Sequence, residues 1–353
     1  MIKKEREIPI KLVKLEALIR RLPMNHPKRG KMEEETAKLR AGYRGEQSID
    51  YYLKDEKNHF IFHSLRLQHK STDFFQMDTL LLHESHVVIL EIKNASGTLC
   101  FDRTFHQLIR TQNGKEDAFS DPIEQVHRHQ KLLRHWLAQH QFPDLPIYTL
   151  VVISHPSTII KSIPPYSETV AKTVLHSSQL VSRLELLSKR PHNLSLSTRE
   201  KNKLSKQLIK SHVPANPDVL AQYKLTADDL ISGVQCPSCK QFPMKRIYGL
   251  WLCSLCRTTS KDAHIPALND YHLLVSETIS NRELRRFLKI NSSQYATRIL
   301  ISLNLQSTGT YRNRRYILKQ KKNASIMRRS FYNSKYHSVL AVDVVSDFSL
   351  CVG

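Results

Sequence analysis

The chain has 353 residues, 40% of them hydrophobic and 24% charged, which is ample for two or three domains with one sizeable core. Its 54 basic against 32 acidic residues leave a net charge of +22, the balance of a protein that meets a polyanion, most often nucleic acid. Apolar runs such as "TLVVI" and "VVIL" fall far short of the ~20 residues of a membrane span, and Lys, Arg and Glu interleaved through the first residues exclude a secretory leader.

Residues 1–32 read as a basic amphipathic segment, suited to lie on a partner or on nucleic acid. Residues 33–55 have helical spacing in Leu39, Ile49 and Leu53. Gly42 and Gly45 interrupt this helix at about 1 kcal/mol each relative to Ala. Either the helix starts or kinks there, or it closes on another backbone and turns Glu46 inward. Strands follow in "HFIFHSLRL", "FFQMDTLLL", "VVILEIK", "TLCFD" and "FHQLIRTQNG", the last with a turn at Asn113-Gly114. In "DPIEQVHRHQKLLRHWLAQH", Asp121 is an N-cap, Pro122 suits the first helical position and Glu124 completes a capping-box pattern. "LPIYTLVVIS" is a continuous apolar run, as a fully buried strand requires. Residues 33–156 are therefore an α/β domain with a mixed sheet. Residues 157–230 turn polar and read as a linker with two helices, "SSQLVSRLELLSKR" and "STREKNKLSKQLIKSHV".

The hairpin over 74–93 carries charges where charge is costly. If it turns about Glu84-Ser85, position 82 pairs with 87 and, counting outward, 78 with 91. Asp78 and Glu91 then stand opposite each other on one face, with Cβ atoms about 5 Å apart. Two carboxylates so placed repel unless a cation neutralises them, and a hard divalent ion such as magnesium takes oxygen ligands. Lys93, one pleat further, points into the same space and can hold a phosphate oxygen or a water, or steady charge developing on phosphorus.

Asp…Glu-x-Lys matches the core of the PD-(D/E)xK nucleases. With "AGYRGEQSIDYYL", "FFQMDTLLL", "VVILEIKNASG" and "DPIEQVHRHQKLL", residues ~36 to 155 resemble the nuclease-related domain (NERD) family. The resemblance implies a restriction-endonuclease-like fold, a mixed sheet flanked by helices. It implies Asp78 and Glu91 as ligands of magnesium or manganese, Lys93 as the catalytic lysine, and Glu46 and Gln125 as supporting residues. Met77 stands where isoleucine or valine is commoner, a conservative core change.

Cys236, Cys239, Cys253 and Cys256 form two C-x-x-C pairs thirteen residues apart, the spacing of a closed four-thiolate zinc site, so 231–262 reads as a zinc ribbon. Four cysteines in metal-type spacing also favour a reducing, cytoplasmic setting. Lys245 and Arg246 between the pairs could contact nucleic acid. Residues 263–330 read as a basic helix-turn-helix-like module. Residues 281–330 hold 13 Lys or Arg against Glu283 alone. Gln294, Thr297 and Arg298 fall on its second helix, and Arg312, Arg314 and Arg315 suit phosphates. Residues 331–353 carry no reading. The expectation is a cytoplasmic, metal-dependent deoxyribonuclease that prefers DNA to RNA and has no membrane partner. Its alternative is a non-catalytic DNA-binding or scaffolding protein that keeps the fold.

Overall fold

The structure, a computed structural model, describes residues 1–318, so the 331–353 tail and the end of the basic module lie outside the described residues. The chain divides into two compact units, Met1–Ile231 and Ser232–Gly353. Among the described residues no helix is long and apolar enough to cross a membrane.

The first unit runs β1 (Ile2–Lys4), α1 (Ile10–Arg21), α2 (Arg29–Leu53), β2 (Phe60–Gln68), β3 (Phe74–Leu82), β4 (Val87–Lys93), β5 (Thr98–Asp102), β6 (Gln107–Gln112), β7 (Lys115–Ser120), α3 (Pro122–Gln139), β8 (Ile147–Ile153), β9 (Ile159–Ser162), α4 (Ser167–Thr173), β10 (Val174–His176), α5 (Leu180–Ser188), α6 (Thr198–Lys210) and α7 (Val219–Gln222). Six strands form the main sheet in the order β1-β2-β3-β4-β8-β10. β2, β3 and β4 are antiparallel neighbours, while β4, β8 and β10 run parallel. Period-2 alternation sends each face of β4 to its own helical layer. Val87 and Ile89 pack with Leu133, Trp136 and Leu137 of α3 and Leu204 and Leu208 of α6. Val88, Leu90 and Ile92 pack with Ile49 and Leu53 of α2 and Leu180 and Leu184 of α5. Burial on both faces explains why β4 and β8 read as unbroken apolar runs.

Three features differ from the sequence reading. Residues 1–32 are built into this unit: β1 lies parallel to β2, and the amino group of Met1 donates to the carbonyls of Glu56 and His59. Residues 157–230 are built in as well, with β10 extending the main sheet and α5 and α6 covering its faces. The strands after β4 form a second sheet, β7-β6-β5-β9, whose β6–β7 turn has Asn113 and Gly114 at φ 52° and 76°, as a type I′ hairpin requires.

The second unit begins with β11 (Lys245–Ile247), β12 (Leu250–Leu252) and β13 (Thr259–Ser260), a three-stranded antiparallel sheet. It continues with α8 (His264–Leu274), β14 (Thr278–Ile279), α9 (Asn281–Leu288), α10 (Ser293–Ser302), β15 (Ser307–Thr308) and β16 (Arg315–Ile317). One core takes Cys236 and Trp251 from the cysteine-bearing part and Leu284, Leu288, Ile299 and Leu318 from the helical part, so the two fold together.

Candidate functional site

The β3–β4 ladder runs from Leu82↔Val87 to Thr79↔Leu90, the register counted from the turn, and ends one step short of Asp78 and Glu91. On its other side, pairing with β2 skips the step between His63↔Thr79 and Leu65↔Met77, where Ser64 takes a left-handed φ of 49°. Asp78 therefore sits where both ladders open. Its Oδ2 accepts from the backbone N–H of Ile92 at 2.9 Å.

Glu91 is buried. Its Oε1 accepts from the Lys93 ammonium at 2.7 Å, and the Oε1 of Gln125, in the first turn of α3, accepts from the same ammonium at 3.2 Å. Its Oε2 is buried without a hydrogen-bond partner. Burial, then the charge of Asp78, pushes the Glu91 carboxyl up to about 7. The same two causes, in the same order, push Glu46 up to about 7, and burial raises Asp78 itself. The Asp78 charge thus opposes ionisation of both Glu91 and Glu46, and Glu91 keeps an orphaned oxygen, so this end of the sheet favours a cation. Two carboxylates side by side offer the oxygen donors that a hard divalent ion takes.

The structure thus brings Asp78, Glu91, Lys93, Glu46 and Gln125 to one end of one sheet. Gly45 accounts for the approach of α2. A Cβ there would lie 2.4 Å from Asn94 Cβ and 2.8 Å from Ser154 Oγ, whereas at Gly42 it would meet nothing within 4 Å. α2 is continuous through both positions. Asp121 caps α3 by accepting from Ile123 N–H, but Glu124 does not complete a capping box. Arg103 takes both acids instead, pairing with Asp121 and with Glu124 at 2.7 Å. His106, Asp121 and Glu124 converge closely enough to hold a metal ion, yet this guanidinium already occupies the two carboxylates.

Arg6 went unnoticed in the sequence. Its side chain is 4% exposed. It donates to Glu46 (2.6 Å), to both oxygens of Asp50, to Thr79 Oγ1 (3.1 Å) and to Nδ1 of His63 (2.8 Å). Burial and then the Arg6 charge lower His63 to about 4, so its ring is neutral and Nδ1 can accept. The available signal was the i, i+4 spacing of Glu46 and Asp50, which puts two acids on one helix face and calls for a cation.

In the second unit the four cysteine sulfurs lie within 4.8 Å of one another. The two C-x-x-C turns repeat one geometry. Lys240 N–H donates to Cys236 O and Arg257 N–H to Cys253 O, and Lys240 and Arg257 have φ of 62° and 59°. Such matched turns aim four thiolates at one point, as a tetrahedral ion requires. Lys245 is exposed, but Arg246 lies over the Trp251 ring at 5.1 Å with Nη1 buried, and burial lowers its pKa. Arg315 donates to Thr278 and pairs with Glu283, with about two fifths of its side chain still exposed. Gln294 and Arg298 are exposed on α10 and Arg314 is exposed after it; the side chain of Arg312 lies outside the described residues.

Residues 41–154 match the nuclease-related domain (NERD) family. An uncharacterized protein of Bacillus anthracis is 24% identical over 146 residues, 41% of this chain and 66% of that protein, so the chain spans just under two thirds of that relative's length. Among solved structures, protein VC1899 from Vibrio cholerae aligns with 58% of this chain and 52% of its own at 10% identity, with a TM-score of 0.25, below the level that marks a common fold.

Proposed function

We propose, from the nuclease-related domain as premise, that the protein is a metal-dependent nuclease that hydrolyses DNA phosphodiester bonds. The observation that carries this reading is the buried, unpartnered Oε2 of Glu91 beside Asp78. Asp78 and Glu91 would hold magnesium or manganese, which when bound supplies Lewis acidity and a more acidic water. Lys93 keeps its ammonium between Glu91 and Gln125, where it can hold a phosphate oxygen and stabilise negative charge on phosphorus. Glu46, raised to about 7, is suited to take a proton near neutral pH. Zinc is the ion that best suits four thiolates, and a closed site of this kind stabilises its unit rather than acting on substrate. The second unit would hold the nucleic acid.

The test is cleavage of DNA and RNA substrates with magnesium or manganese by the wild type and by Asp78→Ala and Lys93→Ala. The expected loss is at least ~100-fold in each variant. A wild type that cuts nothing above the variants would leave the alternative, a protein that binds DNA without cutting it.

A further inference from the structure

The geometry points to a clamp for double-stranded DNA in the second unit, built by α9, α10 and the β15–β16 hairpin; this deepens the nuclease reading by naming the form of its substrate. α9 has two opposed faces. Leu284, Phe287 and Leu288 are buried, while Arg282, Arg286 and Lys289 are exposed at i, i+4 and i+7, one stripe along the outer face. Residues 278–318 hold eight Lys or Arg and a single acid, Glu283. That acid is neutralised within the unit, accepting from Ser280 and pairing with Arg315. The remaining charge is therefore of one sign.

β16 pairs with both β14 and β15, which fixes the hairpin beside the helices. At its tip Gly309 has a φ of 72°, and a Cβ there would lie 2.6 Å from the Asn313 carbonyl, so the turn is closely packed. A cavity of about 900 Å³ opens between this hairpin (Tyr311, Arg314) and the first turns of α9 and α10 (Arg282, Thr297). Basic groups of both arms, Arg282 and Arg314, thus line this cavity with Ser293 and Thr297 of α10, and Gln294 and Arg298 are exposed on the same helix. Phosphates bound on both sides fix a duplex in register while a helix between them enters a groove.

The test uses the full chain carrying Lys93→Ala, titrated into a labelled duplex and into one of its strands across a salt series. The triple variant Arg282→Ala/Arg286→Ala/Lys289→Ala changes only exposed positions. It should weaken duplex binding at least tenfold and flatten the logarithmic salt slope by roughly 0.9 for each phosphate no longer neutralised. Unchanged duplex affinity, or equal or tighter binding of the single strand, overturns the clamp. Binding is read on the Lys93→Ala background and cleavage on the wild type, so a failure of the cleavage reading is seen separately.

A different observation carries a second inference: we infer that Arg6 is a positioning residue for the acidic site. It lies outside residues 41–154 and arrives on the N-terminal arm, yet joins Glu46 and Asp50 of α2 to Thr79, the neighbour of Asp78, and to His63 of β2. Its planar fork uses all three nitrogens, a geometry that lysine cannot copy. Arg6→Lys therefore keeps the charge and removes only the positioning. Manganese titration of the metal-free first site should show at least tenfold weaker binding in Arg6→Lys, with Asp78→Ala as the zero. A lower melting temperature with unchanged manganese affinity would make Arg6 merely structural and overturn the inference. Absence of manganese binding in the wild type would overturn it together with the nuclease reading.

Discussion

Buried titratable groups crowd both ends of the β3–β4 hairpin, and the two ends solve the same problem in opposite ways. At the open end Asp78, Glu91 and Glu46 are raised by burial. At the turn end four histidines gather. His83 and His86 have ring centroids 4.6 Å apart, and His86 stacks on His192 at 5.0 Å and 10°. His59 completes the group, 5.1 Å from His83. Burial, followed by neighbouring charges, lowers His83 to about 4 and His86 to about 3. A buried imidazole escapes its penalty by shedding a proton, after which it packs as a flat, nearly apolar ring. A buried carboxylate pair has no such exit at neutral pH. It must bind a proton or a cation, and Lys93 beside Glu91 and Arg6 beside Glu46 meet that demand only in part, since Oε2 of Glu91 stays without a partner.

The largest expected effect tests the histidine end. Because these folded pKa values lie below the unfolded value of 6.5, the unfolded chain binds more protons as pH falls below 6.5. Stability is then lost progressively down to pH 3–4. His86→Phe keeps a ring for stacking and removes the titration. Between pH 7 and 4 it should lose on the order of 2–3 kcal/mol less than wild type, read from denaturant unfolding of the first unit. Parallel pH curves for the two proteins would show that His86 is not held neutral by the fold.

The acidic end carries the opposite sign. Glu91 and Glu46 have folded values of about 7 against 4.5, so the folded chain holds protons that the unfolded chain has lost. Their contribution is favourable below pH 4.5 and disappears as pH rises to 7. Asp78→Asn removes the charge that opposes both. In metal-free protein at pH 8 it should stabilise the first unit by about 2 kcal/mol, with little effect at pH 4.5. Magnesium should raise the melting temperature of the wild type and not of this variant. A destabilised Asp78→Asn at pH 8 would mean that its bond to Ile92 N–H outweighs the repulsion.

Much of this was legible along the chain, for local reasons. The hairpin register follows from period-2 alternation and one turn, so Asp78 could be set against Glu91 by counting. The four cysteines announce themselves by spacing, and Ser280 and Glu283 form the expected capping box. What escaped depended on partners distant in sequence. Arg6 meets Glu46 and Thr79 only after α2 and β3 have docked. Residues 157–230 look like a linker because their apolar positions are sparse, yet those few positions cover both faces of the sheet.

The smallest effects separate the two glycines of α2, and with them the packing behind the acidic end from the helix that merely passes it. Gly42 is exposed, and a methyl there meets nothing within 4 Å, so Gly42→Ala should gain up to about 1 kcal/mol of helix propensity. Gly45→Ala would enjoy the same propensity but must push Asn94 and Ser154 aside. The shift acts directly on the segment after Lys93, since Ser154 N–H donates to the Lys93 carbonyl and Asn94 donates to the Ala41 carbonyl. Gly45→Ala should therefore lose about 1 kcal/mol net and weaken manganese binding, while Gly42→Ala leaves that binding unchanged. Equal behaviour of the two variants would mean that α2 does not set the position of Glu46 through its contact with the end of β4.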